Sequence, residues 1–94
     1  MTVVRVAVYP IDPDLVEELR RSVDESLIPL YRQQPGFRSL SIAHCGDEVV
    51  SVSQWDEATD AERGSKAAIE WAATAPGSLG PPTSVRIGPE LNRA

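Results

Sequence analysis

Apolar residues recur along this chain at two different spacings, and the switches between them mark out its elements. Val3 to Tyr9 is short and β-branched and is closed by Pro10, which predicts a strand. Asp12-Pro13-Asp14 has the features of a helix start. Asp12 can accept from exposed amides, and Pro13 suits a first helical position where no N–H is needed. Asp14, Glu17 and Glu18 place negative charge near the positive end of the helix dipole. Leu15, Val16, Leu19, Val23, Leu27, Leu30 and Tyr31 then repeat at helical spacing. Pro29 falls inside that pattern and predicts a kink, because the apolar spacing continues past it; Pro35-Gly36 is the stop.

Phe37 to Cys45 and Val49 to Trp55 read as two strands joined by a tight turn at Gly46-Asp47. Thr59-Asp60-Ala61-Glu62 has capping-box spacing and predicts the start of a second helix, which continues through Ala72. Gly64 weakens it by roughly 1 kcal/mol relative to Ala. Residues 76–82 (PGSLGPP) form a loop by composition. Thr83 to Ile87 is a fourth strand that can reach past Pro89 towards Leu91. The order strand, helix, strand, strand, helix, strand predicts one α+β domain over residues 1–94: a ferredoxin-like βαββαβ unit with a four-stranded antiparallel sheet.

Strand residues alternate between faces. One set, Val4, Val6, Val8, Leu40, Ile42, Val50, Val52, Val85 and Ile87, is expected to pack under the helices. The other set is Arg5, Tyr9, Ser39, Ser41, Ser51, Ser53, Trp55, Ser84 and Arg86, expected on the uncovered face, either solvated or against a second subunit. A bulge would shift the alternation by one residue.

Composition narrows the picture. Ninety-four residues make a marginal core, which usually needs a disulfide, a metal or self-association. One cysteine and one histidine exclude an internal disulfide and a four-ligand structural metal, so a homodimer is expected. A net charge of −5 with a single lysine argues against nucleic acid. No segment has the length of a membrane span, and no signal-like apolar run precedes the first strand, so a cytoplasmic protein is expected. Cofactor motifs are absent: no Gly-rich phosphate loop follows a strand.

The succession Leu30 to Phe37 (LYRQQPGF), Val49 to Asp56 (VVSVSQWD) and Val85-Arg86-Ile87-Gly88 resembles the antibiotic biosynthesis monooxygenase family across nearly the whole chain. The resemblance implies a dimeric α+β barrel. Some relatives oxidise anthrone or hydroquinone substrates with molecular oxygen and without metal or flavin; others degrade haem. Trp55 matches the Trp that ends the third strand and borders the pocket. Four residues earlier, where quinone-forming relatives carry Asn, this chain has Ser51, which cannot present an amide's donor and acceptor together. Haem degraders place a His on the second helix and an Asn on the first strand, and this chain has neither.

The reading that follows is a cofactor-independent monooxygenase acting on an electron-rich aromatic. Its pocket is expected between sheet and helices, with Trp55, Ser51, Tyr9 and His44 as catalytic candidates. Tyr31, Arg5, Arg86 and Trp71 are candidates for holding a small hydrophobic or aromatic substrate. Each has a plainer reading beside it. Tyr9 and Tyr31 suit the edge of a core with the hydroxyl reaching water. Arg5 and Arg86, expected on one face, suit an enolate or carboxylate but also acidic residues across an interface. Trp55 and Trp71 suit packing. His44 suits a solvated turn or acid–base work, and Cys45, on the opposite face from it, a buried or half-buried thiol. A non-catalytic binding or accessory protein and a cyclase or isomerase of the same shape are the alternatives.

Overall fold

The computed structural model describes residues 1–74 and 79–94. Four strands, β1 (Val3–Pro10), β2 (Phe37–Cys45), β3 (Glu48–Trp55) and β4 (Ser84–Pro89), form one antiparallel sheet in the order β2-β3-β1-β4. A first helix over residues 13–32 follows β1, and a second helix, Ala58–Thr74, follows β3. The sheet is the antiparallel ferredoxin-like sheet that the element order predicts. Among the described residues, no helix is long and apolar enough to cross a membrane.

The first helix begins as expected. Asp12 accepts from the Asp14 amide at 2.9 Å, and Pro13 occupies the first turn. Pro29 acts on the turn before it. Residues Val23–Leu27 wind as a π-turn, with the Ile28 amide donating to Val23, before α-helix resumes at Ile28–Arg32. Proline offers no amide to the ladder, and a wider turn absorbs the mismatch without ending the helix. The second helix starts at Ala58, so Thr59 lies inside it and does not cap it. The predicted loop at 76–82 is described only from Leu79 onward; residues 76–78 lie outside the described residues.

Gly36 closes the first helix with φ +74°, and a Cβ there would run into the Asp60 side chain. Gly36→Ala is therefore expected to cost more than about 1 kcal/mol in urea melts, because both backbone and neighbour resist it.

The faces of the sheet are the main correction. Val3, Arg5, Ala7 and Tyr9 of β1 pair with Trp55, Ser53, Ser51 and Val49 of β3, and all eight are buried beneath the helices. The valines expected there, Val4, Val6, Val8, Val50 and Val52, lie on the open face instead. Leu40, Ile42, Val85 and Ile87 do face the helices, paired with Ser53, Ser51, Ala7 and Arg5. In β2 a register shift between Phe37 and Ser39 brings Phe37, opposite Trp55, onto the same face as Leu40 and Ile42.

Beneath the helices, Tyr31, Phe37 and Trp55 form a mutual cluster with ring centroids 5.3–5.5 Å apart. Edge-on contacts of this kind add to their burial energy. Gly64 lies against the indole: a Cβ there would overlap the Trp55 ring. The glycine that weakens the second helix is what lets it approach β3.

Candidate functional site

β1 and β3 deliver polar side chains into the space between sheet and helices. Arg5 is at its centre and is 0% exposed. Its NH1 donates to the Tyr31 hydroxyl and its NH2 to the Tyr9 hydroxyl, each at 3.4 Å; Nε has no partner among the described residues. Among the described residues no carboxylate lies within ion-pair distance of it. Ser53, opposite Arg5 in the sheet, accepts from the Trp55 indole at 2.9 Å. Two buried hydrogen-bonded groups, Arg5 with Tyr31 and Tyr9, and Trp55 with Ser53, thus lie side by side in an apolar interior.

A small cavity of about 20 Å³ adjoins Arg5, Tyr9, Tyr31, Ser51 and Trp71, enough for one water-sized group. Leu19, Val23, Ile42 and Val49 separate it from a groove of about 250 Å³ between the first helix and β2. That groove is mainly apolar, with Arg20, Asp24 and His44 at its edge.

An isolated buried guanidinium is costly, since it loses hydration without gaining a counter-charge. The surroundings offer it two phenols, whose oxygens accept its N–H groups. Burial pushes the Tyr31 hydroxyl above its usual value of 10.0; the Arg5 charge opposes this, Tyr9 adds to it, and Ser53 opposes it. Below about pH 10 the folded and unfolded chains both keep this proton. Above it the unfolded chain ionises first, so stability falls as pH rises through the folded value. Urea melts from about pH 8 to about pH 11 are expected to show that fall, and Tyr31→Phe to reduce it.

The sequence candidates divide. Arg5, Tyr9, Tyr31 and Ser51 meet at the cavity, with Trp55 behind Tyr31. Trp71 is half-buried at its wall, its indole donating at 2.7 Å to Ser26 in the π-turn, which bridges the two helices. His44 is exposed and lines only the outer groove, with Nε2 against the Gly46 carbonyl. Arg86 does not join Arg5: it pairs with Val6 on the open face and is exposed. Cys45 is exposed, neither buried nor half-buried. Ser53 and Ser26 were missed as members of the network. The Ser53-x-Trp55 spacing on one strand face was the available signal for the first; nothing in the sequence pointed to the second.

Helices on one face of a four-stranded antiparallel sheet make a ferredoxin-like α+β fold, which solved antibiotic biosynthesis monooxygenases also have. Among solved structures it is shared with the monooxygenase ActVA-Orf6 of Streptomyces coelicolor in complex with nanaomycin D (TM-score 0.72, 24% identity, 98% of this chain and 89% of that one). A putative antibiotic biosynthesis monooxygenase from Bordetella bronchiseptica superposes with TM-score 0.76 at 15% identity, covering 97% and 98%. A haem-degrading protein from Mycobacterium tuberculosis has the same fold at TM-score 0.68 and 14% identity, covering 100% and 99%. No family model and no curated protein matches the sequence.

Proposed function

We propose that this protein is a cofactor-independent monooxygenase that oxidises an electron-rich aromatic of the anthrone or hydroquinone type. One observation carries the reading: a buried cation with no counter-ion among the described residues, flanked by two phenols, beside an apolar groove. Such a site favours negative charge on a bound ring system. An anthrone-like CH2 that loses a proton becomes a carbanion able to pass an electron to oxygen. Recombination and loss of water then leave a ketone, so that CH2 plus O2 gives C=O plus H2O.

Arg5 would stabilise the anion, while the Tyr9 and Tyr31 hydroxyls, accepting from Arg5, keep their own protons to donate to a substrate oxygen. The buried Tyr31 is a poor base at neutral pH. His44 is the better proton acceptor, because an Nε2–H held by the Gly46 carbonyl leaves Nδ1 with a free lone pair. Trp55, its indole tied to Ser53, sets the position of Tyr31.

Oxygen uptake by metal-free protein with a panel of anthrones and hydroquinones tests the proposal. Uptake above the spontaneous rate, with quinone formed and heat-treated protein inactive, is the expected result. No uptake across the panel would reject it, and product formed under strict anaerobiosis would make the protein a cyclase or isomerase.

The apolar open face supports a homodimer. Val6 and Val52 pair at its centre, and Val52 is 37% exposed. A small chain gains stability by covering such a surface with a second copy. Analytical ultracentrifugation is expected to show dimers, and Val52→Glu monomers of reduced stability; a monomeric wild type would end the proposal.

A further inference from the structure

We infer that the ligand of this chamber is an amphipathic anion. A planar pair of oxygens sharing one negative charge docks on Arg5, and an apolar body lies in the adjoining groove. This rests on the reading that the chamber is the substrate site, and adds the form in which the substrate binds.

The argument is a count of donors and acceptors. Arginine has five N–H groups and no acceptor. Two are used, in long 3.4 Å contacts to Tyr31 and Tyr9, and among the described residues Nε has no partner. The surrounding bonds run in the same sense. Trp55 donates to Ser53, and the phenol oxygens accept from Arg5, so the phenol protons are left to donate elsewhere. The chamber holds an excess of donors and a full positive charge, with no carboxylate in reach among the described residues. Its chemical complement is a group that only accepts and carries negative charge. An ionised carboxyl meets this, and so does the ionised enol of a 1,3-dicarbonyl; either can take two parallel N–H bonds from a guanidinium.

The space beside Arg5 must widen to receive the head group. The cavity there is about 20 Å³, room for one water-sized group, and the groove beyond Leu19, Val23, Ile42 and Val49 is about 250 Å³ and mainly apolar. Those four side chains must move aside for one ligand to occupy both spaces.

The test uses three probes on the unmodified protein, by isothermal titration calorimetry: 2-naphthoate, 2-acetylindane-1,3-dione (an enol ionised at neutral pH) and the neutral 2-naphthamide. At least one anion is expected to bind tenfold or more tighter than the amide. The tighter of the two identifies the head group. In Arg5→Met that preference is expected to vanish while circular dichroism stays native. Amide binding as tight as the tighter of the two anions, or no binding of either anion at about 1 mM, would overturn the inference. The comparison of naphthoate with naphthamide needs no variant and stands even if Arg5→Met fails to fold. Anion binding without oxygen uptake would leave this inference intact and remove the oxygenase reading. Oxygen uptake on neutral substrates with no anion preference would do the reverse.

Discussion

Trp55→Ala is expected to cost about 3–5 kcal/mol of stability, enough to unfold much of a chain this small at 37 °C. The indole is wholly buried, touches both Tyr31 and Phe37 edge-on, and fills the space left by Gly64. No neighbour can collapse into the gap without drawing the second helix towards β3. The same contact makes a sharper prediction at Gly64. Alanine improves helix propensity by roughly 1 kcal/mol, so on an open helix face Gly64→Ala would stabilise. Here its methyl overlaps the indole, and overpacking of this kind costs about 1–3 kcal/mol. Net destabilisation is expected. In a Trp55→Phe background, where the smaller ring leaves room, the penalty should shrink or reverse. A double-mutant cycle in urea reads that coupling directly; additive effects would show that the helix does not rest on the ring.

This contact also shows where the sequence was legible. Element order, the helix start at Asp12 and the strand limits of β2 follow from local signals that tertiary packing does not override. The faces did not follow. Val4, Val6 and Val8 are the more apolar half of β1, and a rule that buries the more apolar half puts them under the helices. The helices instead cover Arg5, Ala7 and Tyr9, because those residues build a chamber, and the valines form the open face. The more apolar half of a strand does not by itself say which half the helices cover. Phe37 and Leu40, three apart, reach one face only through the register shift after Phe37, which the sequence does not announce.

The site was legible as a list more than as an arrangement. Tyr9, Tyr31, Ser51 and Trp55 were named, and they converge. Arg5 and Arg86 were joined by alternation, which fails because the face assignment of β1 was inverted while that of β4 was not. His44 was correctly separated from Cys45 by strand geometry, but its place on the groove depends on β2 facing the first helix, which only the assembled fold supplies.

Arg5→Met is expected to stabilise the ligand-free protein while slowing any oxygen-dependent turnover by about 10²–10³-fold. Replacing a buried charge with a well-packed apolar side chain often gains about 1–4 kcal/mol, because the desolvation cost disappears. Among the described residues the charge has no carboxylate to repay that cost, only two phenol contacts at 3.4 Å, so the gain should exceed what those weak bonds supply. Losing them leaves the Tyr9 and Tyr31 oxygens short of a donor, which takes back about 1 kcal/mol. Catalysis should move the other way: removing a preorganised donor to a developing anion typically slows turnover by about 10²–10³-fold. Thermal melts and oxygen uptake on one preparation read both effects. A stabilised, inactive variant means that Arg5 is retained against the interest of the fold, as a binding group would be. A destabilised variant would mean that the guanidinium is already satisfied within the folded chain, and the chamber would then lose its claim to an anion.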